Sequence, residues 1–126
     1  MNSAAAPRVY DLEERTFLFA RRVRAFVKLL PRCIANFEDA KQVVRASGSV
    51  GANYIEANEA LSSKDRAMRV RISRKEAKEA RYWLRLLDTG SLPATHAERM
   101  ALIQEATELM NILAAILRKL ESKPVD

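Results

Sequence analysis

The chain has 126 residues, 48% of them hydrophobic and 30% charged, with a formal net charge of +6. This is enough for one domain with its own core, in a composition ordinary for a soluble globular protein, and the positive balance makes acidic partners conceivable. Cys33 is alone, which excludes an intramolecular disulfide and favours a reducing, cytoplasmic setting. The opening "MNSAAAPR" lacks the apolar core of a secretion signal, and the longest apolar run, Ile112 to Leu117, is too short to span a bilayer, so no membrane partner is expected.

With 3 glycines and 4 prolines among many Ala, Leu, Arg and Glu, long helices are favoured. Residues 1–10 read as a flexible N-terminal segment, 11–122 as the folded domain, and 123–126 as a C-terminal tail. The first predicted helix runs from Asp11 to Leu30 and is stopped by Pro31. Leu12, Thr16, Phe19, Val23, Phe26 and Leu30 recur at steps of four and three and so line one face. The second runs from Ala35 to Leu61. Ser62 or Ser63 then serves as N-cap for a third, Lys64 to Asp88, which ends at "TGSLP". The fourth runs from Thr95 to Glu121. Its seam is Ile103, Ala106, Met110, Leu113, Leu117 and Leu120, with a second apolar line at Leu102, Leu109, Ile112 and Ile116. No stretch alternates with period two, so no sheet is expected. Long helices joined by short loops predict an all-α, antiparallel, up-down-up-down four-helix bundle.

The second helix holds Gly48 and Gly51. Each mid-helix glycine costs about 1 kcal/mol relative to alanine, so a packing gain must offset it. Phe37, Val44, Gly48, Gly51 and Ile55 share one face, and Val43, Val50, Tyr54, Ala57 and Leu61 share another. This arc is wider than a lone bundle needs, and with the second line of the fourth helix it predicts burial against a further subunit. A phosphate-cradling loop would need a preceding strand and a following Lys-Ser or Lys-Thr, and "GSVGAN" has neither. Close helix packing is therefore the leading reading for Gly48 and Gly51, with a kink or hinge as the alternative.

The block "SGSVGANYIEANEALSSKDRAMRVRISRKEAKEARYWLRLLDTG" resembles the four-helix bundle proteins related to the bacterial 23S rRNA intervening-sequence proteins. The shared features are "GAN..EA" at Gly51 to Ala57, "SSKD" at Ser62 to Asp65, and "KEA.E.RYWL" at Lys75 to Leu84, and the likeness extends over about residues 10 to 121. It implies a bundle that assembles as a ring-shaped homopentamer. Some such proteins are encoded within inserts in rRNA genes. A more distant likeness is to the accessory protein of diversity-generating retroelements, a basic pentameric barrel that binds nucleic acid and a reverse transcriptase. A reverse transcriptase or ribosome-related partner is thus implied by resemblance alone. Arg66, Ala67 and Met68 depart from the pattern, which often has an aromatic there, and this bears on local packing.

The charge pattern is strongest on the third helix. Arg71, Arg74, Lys78, Arg81 and Arg85 form a stripe about 21 Å long, opposite Val70, Ser73, Ala77, Ala80, Leu84 and Leu87. Lys64 to Arg85 holds nine basic and three acidic residues, net +6, whereas Ala94 to Ser122 is −1. The first helix adds Arg21, Arg24 and Lys28 on one face, extended by Arg32. Segregated positive charge of this kind suits a phosphate backbone, RNA or DNA. The bland alternative is a solvated face paired with intersubunit glutamates.

Glu76 and Glu79 lie on the Trp83 side of the third helix, and buried carboxylates need partners. Asn53, Glu56, Lys75, Glu76 and Glu79 form the expected structural network between the second and third helices. Carboxylate metal sites in bundles use paired Glu-x-x-His motifs, and the single His96 supplies none, so no metal or other cofactor is expected. Cys33 has no evident base beside it, and no catalytic residue can be named. The expected function is a non-enzymatic homo-oligomer that binds nucleic acid or a ribonucleoprotein through a basic helix face. The alternative is a scaffold or adaptor that binds a protein partner without touching nucleic acid.

Overall fold

The computed structural model describes residues 9–122 as backbone and residues 11–122 with side chains. The tail at 123–126 and most of the expected N-terminal segment, 1–8, lie outside the described residues. The described residues form four helices: α1 (Val9–Val27), α2 (Ile34–Asn58), α3 (Ser63–Leu86) and α4 (Pro93–Glu121).

The helix ends follow from local chemistry. Pro31 disfavours helical backbone in the residue before it, so α1 closes early. Leu29 and Leu30 donate their N–H groups to Phe26 and Val27 in a tight turn instead of extending the helix to Leu30 as expected. α2 stops at Asn58 rather than Leu61, and Leu61 is fully exposed. Of the two serine candidates, Ser62 is the N-cap of α3, its Oγ accepting the Asp65 N–H at 3.1 Å. Pro93 stands in the first turn of α4, where a missing N–H is harmless.

Each helix touches two others. α1 packs on α2 and α4, and α3 packs on α2 and α4, so α1 and α3 stand at opposite corners. The side-chain pairings run in opposite order along each pair of neighbours. Glu13 meets Asn58 while Thr16 meets Gly51, and Ser73 donates to the Val50 carbonyl while Arg69 donates to Asn53. Arg81 meets Thr107 while Arg71 meets Glu121. Arg15 meets Glu105 and Glu108 while Arg22 meets Glu98.

The core fills this square from all four sides. Leu12, Thr16, Phe19, Val23 and Phe26 of α1 are buried as the spacing predicts. From α2 come Val43, Val50, Tyr54 and Ala57, and from α3 Val70, Ser73, Ala77, Ala80 and Leu84, with Leu87 just past its end. α4 departs from its expected seam. Leu102 and Leu109, assigned to a second line awaiting another subunit, have no exposed surface within this chain. Ile103, Leu117 and Leu120 are only half-buried. The reason is that α4 sits between α1 and α3, so the arc it buries is broader than a two-helix seam and is turned toward Leu102, Ala106, Leu109 and Leu113. Although no uninterrupted apolar run is long, α4 as a whole is long and apolar enough to cross a bilayer by length and composition, a test that the core helix of a globular bundle also passes.

One end of the bundle is locked by Asn36. Its side chain, almost fully buried, donates to the carbonyls of Pro31 and Asp88, both at 2.9 Å, and accepts the Asp88 N–H at 3.0 Å. The α1–α2 and α3–α4 connections are thereby tied together. Gly90, at φ +73°, passes so close to Pro31 that a Cβ there would lie 2.9 Å from its ring.

Candidate nucleic-acid interface

α3 presents its basic residues outward because the opposite arc is consumed by the core. Arg71, Arg74, Lys78 and Arg85 are exposed and Arg81 is half-buried. Their surroundings divide them. Arg71 is ion-paired to Glu121, and Arg81 donates to Thr107 Oγ1 at 3.2 Å, so these two are engaged with α4. Arg74, Lys78 and Arg85 form no ion pair among the described residues. Lys75 joins them rather than the expected polar network: it is exposed, with no hydrogen bond to the α2–α3 residues assigned to it.

Arg15, Arg22 and Arg45, by contrast, are neutralised by carboxylates. Arg15 is gripped by Glu105 at 2.7 Å and by Glu108 at 2.7 Å, and the Glu105 hydrogen bond raises its pKa above the usual guanidinium value against the opposing effect of burial. Hydrogen bonds from Gln104 and then from Arg15 hold the Glu108 carboxyl below the ordinary range. Arg22 pairs with Glu98 at 3.1 Å. Arg74, Lys75, Lys78 and Arg85 thus form one group of cations without carboxylate partners among the described residues, on the outer face of α3, and Arg21, Arg24 and Lys28 form another near α1.

Arg21 and Arg24 of α1, and Lys28 just past its end, are not part of that face. Arg21 lies over the Phe17 ring at 5.5 Å and Arg24 donates to the Ala20 carbonyl at 3.1 Å; both line the α1–α2 groove, whereas Lys28 lines a separate hollow with Arg32 and Phe37. Since α1 and α3 occupy opposite corners, the two basic sets form separate patches on one chain. Helical spacing identifies the charged face of each helix but not which helices are neighbours.

The α2–α3 network differs in membership from the one expected. Glu76, 7% exposed, accepts from Arg45 at 3.3 Å, and Glu79 is ion-paired to the same guanidinium and accepts from Trp83 Nε1 at 3.5 Å. The hydrogen bond to Glu76 is the largest influence raising the Arg45 pKa. Asn53 belongs to a second group: it donates to Ser49 and accepts from Arg69 at 3.2 Å. Glu56 is exposed and outside both groups. Arg45 and Arg69 are the partners sequence reasoning missed. Arg45 falls outside both apolar faces of α2, but periodicity does not give the relative height of two helices. Arg66, at the departure from the family pattern, donates to the carbonyls of Ala57 and Ala60, both at 3.3 Å, and so caps the end of α2.

The two glycines also separate. A Cβ on Gly51 would lie 2.8 Å from Thr16 Oγ1 and 3.2 Å from Thr16 Cβ, a close approach of α2 to α1. A Cβ on Gly48 would meet only the end of Arg24, at 3.3 Å from Nη2. Both glycines floor a groove of about 380 Å³ walled by Phe17 and Ile55, both well exposed. His96 is exposed near the start of α4, with its Nδ1 3.2 Å from Arg99 Nη2. Cys33, half-buried, is a free thiol at the N-cap position of α2. Among the described residues no three His, Cys, Asp or Glu side chains converge as metal ligands would.

Comparison with known proteins places this architecture. No curated protein matches the chain. A solved structure from Bacteroides thetaiotaomicron, of a protein with unknown function from the S23 ribosomal protein family, superposes with a TM-score of 0.70 at 29% identity, covering 83% of this chain and 96% of that one. Residues 10–115 match the family described as 23S rRNA-intervening sequence protein. That match spans all of α2 and α3 and most of α1 and α4, and on it the chain belongs to the 23S rRNA-intervening sequence protein family.

Proposed function

We propose that this protein is a non-enzymatic, cytoplasmic assembly unit: an up-down-up-down bundle that forms a homo-oligomeric ring and binds nucleic acid, or a ribonucleoprotein, through the outer face of α3. The observation that carries the reading is the contrast between Arg74, Lys75, Lys78 and Arg85, exposed and without ion pairs among the described residues, and the carboxylate-bound Arg15, Arg22 and Arg45. Four unopposed cations on one helix face repel each other, and a polyanion relieves that repulsion. The opposite-running pairings of neighbouring helices support the up-down order. Self-association is supported by the α1–α2 groove, where Phe17 and Ile55 leave apolar surface in water, and by Phe37, exposed near the start of α2. A ring of five is what the family likeness suggests.

A salt series tests the reading. If the four cations each neutralise one phosphate, log affinity against log salt slopes about −3.6 per protomer on duplex DNA and about −2.8 on single strands. Replacing Arg74, Lys78 and Arg85 with Gln should flatten the slope without altering the mass measured by light scattering. Absence of saturable binding to RNA and DNA at about 0.15 M salt would favour the protein-scaffold alternative, while a monomer mass at micromolar concentration would dispose of the ring.

A further inference from the structure

Tyr82 stands in the middle of the cationic face of α3 and has no part in the reading above. At about 100° per residue it projects within about 60° of Arg71, Lys75, Lys78 and Arg85, with Lys78 about 6 Å behind it along the axis and Arg85 about 4.5 Å ahead. Its side chain is 53% exposed. The ring is nevertheless braced: Trp83, half-buried and packed on the core, meets it edge-on at 5.0 Å between centroids and 79° between planes. Leu86, one turn further on, is also exposed and extends the apolar surface beside the ring. An aromatic held in place from one side, open on the other and ringed by cations has the two parts that single-strand binding uses, a stacking platform and phosphate partners.

On these grounds we propose that the α3 face takes single-stranded nucleic acid, with Tyr82 stacking on an unpaired base while Lys75, Lys78 and Arg85 hold the adjoining phosphates. The proposal rests on the basic-face reading and sharpens it. Inside a duplex the base faces are already covered by their neighbours, so an outward ring finds nothing to stack on. An unpaired base offers a bare π-face whatever its identity, so recognition is of strandedness rather than of sequence. The phosphate contacts set the salt dependence, and the ring adds a contribution that salt leaves alone.

The test uses the full chain and three fluorescent probes of equal phosphate count: a short oligouridylate, a duplex, and a strand of the same length with abasic sites. A deoxythymidine strand run in parallel separates RNA from DNA. Wild type should bind the oligouridylate or its DNA counterpart more tightly than the duplex and the abasic strand. Tyr82→Ala should lose roughly 5- to 150-fold on the based single strand. It should leave the abasic strand, the duplex and the slope against salt unchanged. Tyr82→Phe keeps the ring and should bind as wild type does. If wild type binds with a steep salt dependence but Tyr82→Ala is silent, the stacking proposal falls and the basic-face reading stands. If wild type binds no probe, both fall. If Tyr82→Ala changes the mass by light scattering, Tyr82 belongs to a subunit contact and the proposal is overturned.

Discussion

Replacing each helical glycine of α2 by alanine, one at a time, should move stability in opposite directions. Alanine is favoured over glycine in a helix interior by about 1 kcal/mol, so both substitutions begin with the same gain. They part at the next atom. At Gly48 the new methyl meets only the end of Arg24, an exposed, flexible side chain whose one hydrogen bond, to the Ala20 carbonyl, is solvent-accessible, so most of the gain should survive. At Gly51 the methyl arrives 2.8 Å from Thr16 Oγ1 and 3.2 Å from Thr16 Cβ. Thr16 has nowhere to go. It is fully buried, stiff at χ1 as a β-branched residue, and its hydroxyl donates to the Glu13 carbonyl at 2.9 Å. Forcing α1 and α2 apart costs about 1–3 kcal/mol by analogy with overpacked cores, leaving a net loss of about 1 kcal/mol. With roughly 4 °C per kcal/mol for a domain of this size, thermal unfolding followed by circular dichroism at fixed protein concentration should place the two variants about 8 °C apart. In a Thr16→Ala background the nearest clashing atom is gone, and Gly51→Ala should become less harmful by about 0.5 kcal/mol or more. A Gly51→Ala midpoint at or above that of Gly48→Ala, or no coupling to Thr16, would refute the close-approach account.

Asn36→Ala should lower stability by about 2–4 kcal/mol, because it strips partners from three backbone groups in two connections at once; a urea midpoint within error of wild type would show that water replaces the amide without loss. Tyr54 should make the fold sensitive to alkali. Burial raises its phenol pKa above the ordinary 10.0, against the Asn58 hydrogen bond, so its contribution is complete below about pH 10 and is lost as pH rises through the folded value. Urea midpoints at about pH 9 and pH 11 should therefore fall further for wild type than for Tyr54→Phe, and parallel losses would assign the alkaline weakness to other groups.

By itself the sequence determined which residues α1 and α3 bury and, within a few positions, where each of the four helices lies. The fours and threes of Leu12, Thr16, Phe19, Val23 and Phe26, and the opposed stripes of α3, are properties of one helix meeting water on one side and protein on the other. Caps and breakers act over four or five residues, so Ser62 and the close of α3 before Gly90 were within reach of local reasoning. What joins one helix to another was decided only in the tertiary structure. Arg45 became the partner of Glu76 and Glu79, and Arg71 and Arg81 turned to α4, because the relative height of two helices comes from packing of whole surfaces. The separation of the α1 and α3 cations, the burial of Leu102 and Leu109, and the unequal roles of Gly48 and Gly51 have the same origin. Periodicity gives an angle around one axis, whereas a site needs the distance between two, and that distance exists only after the core has closed.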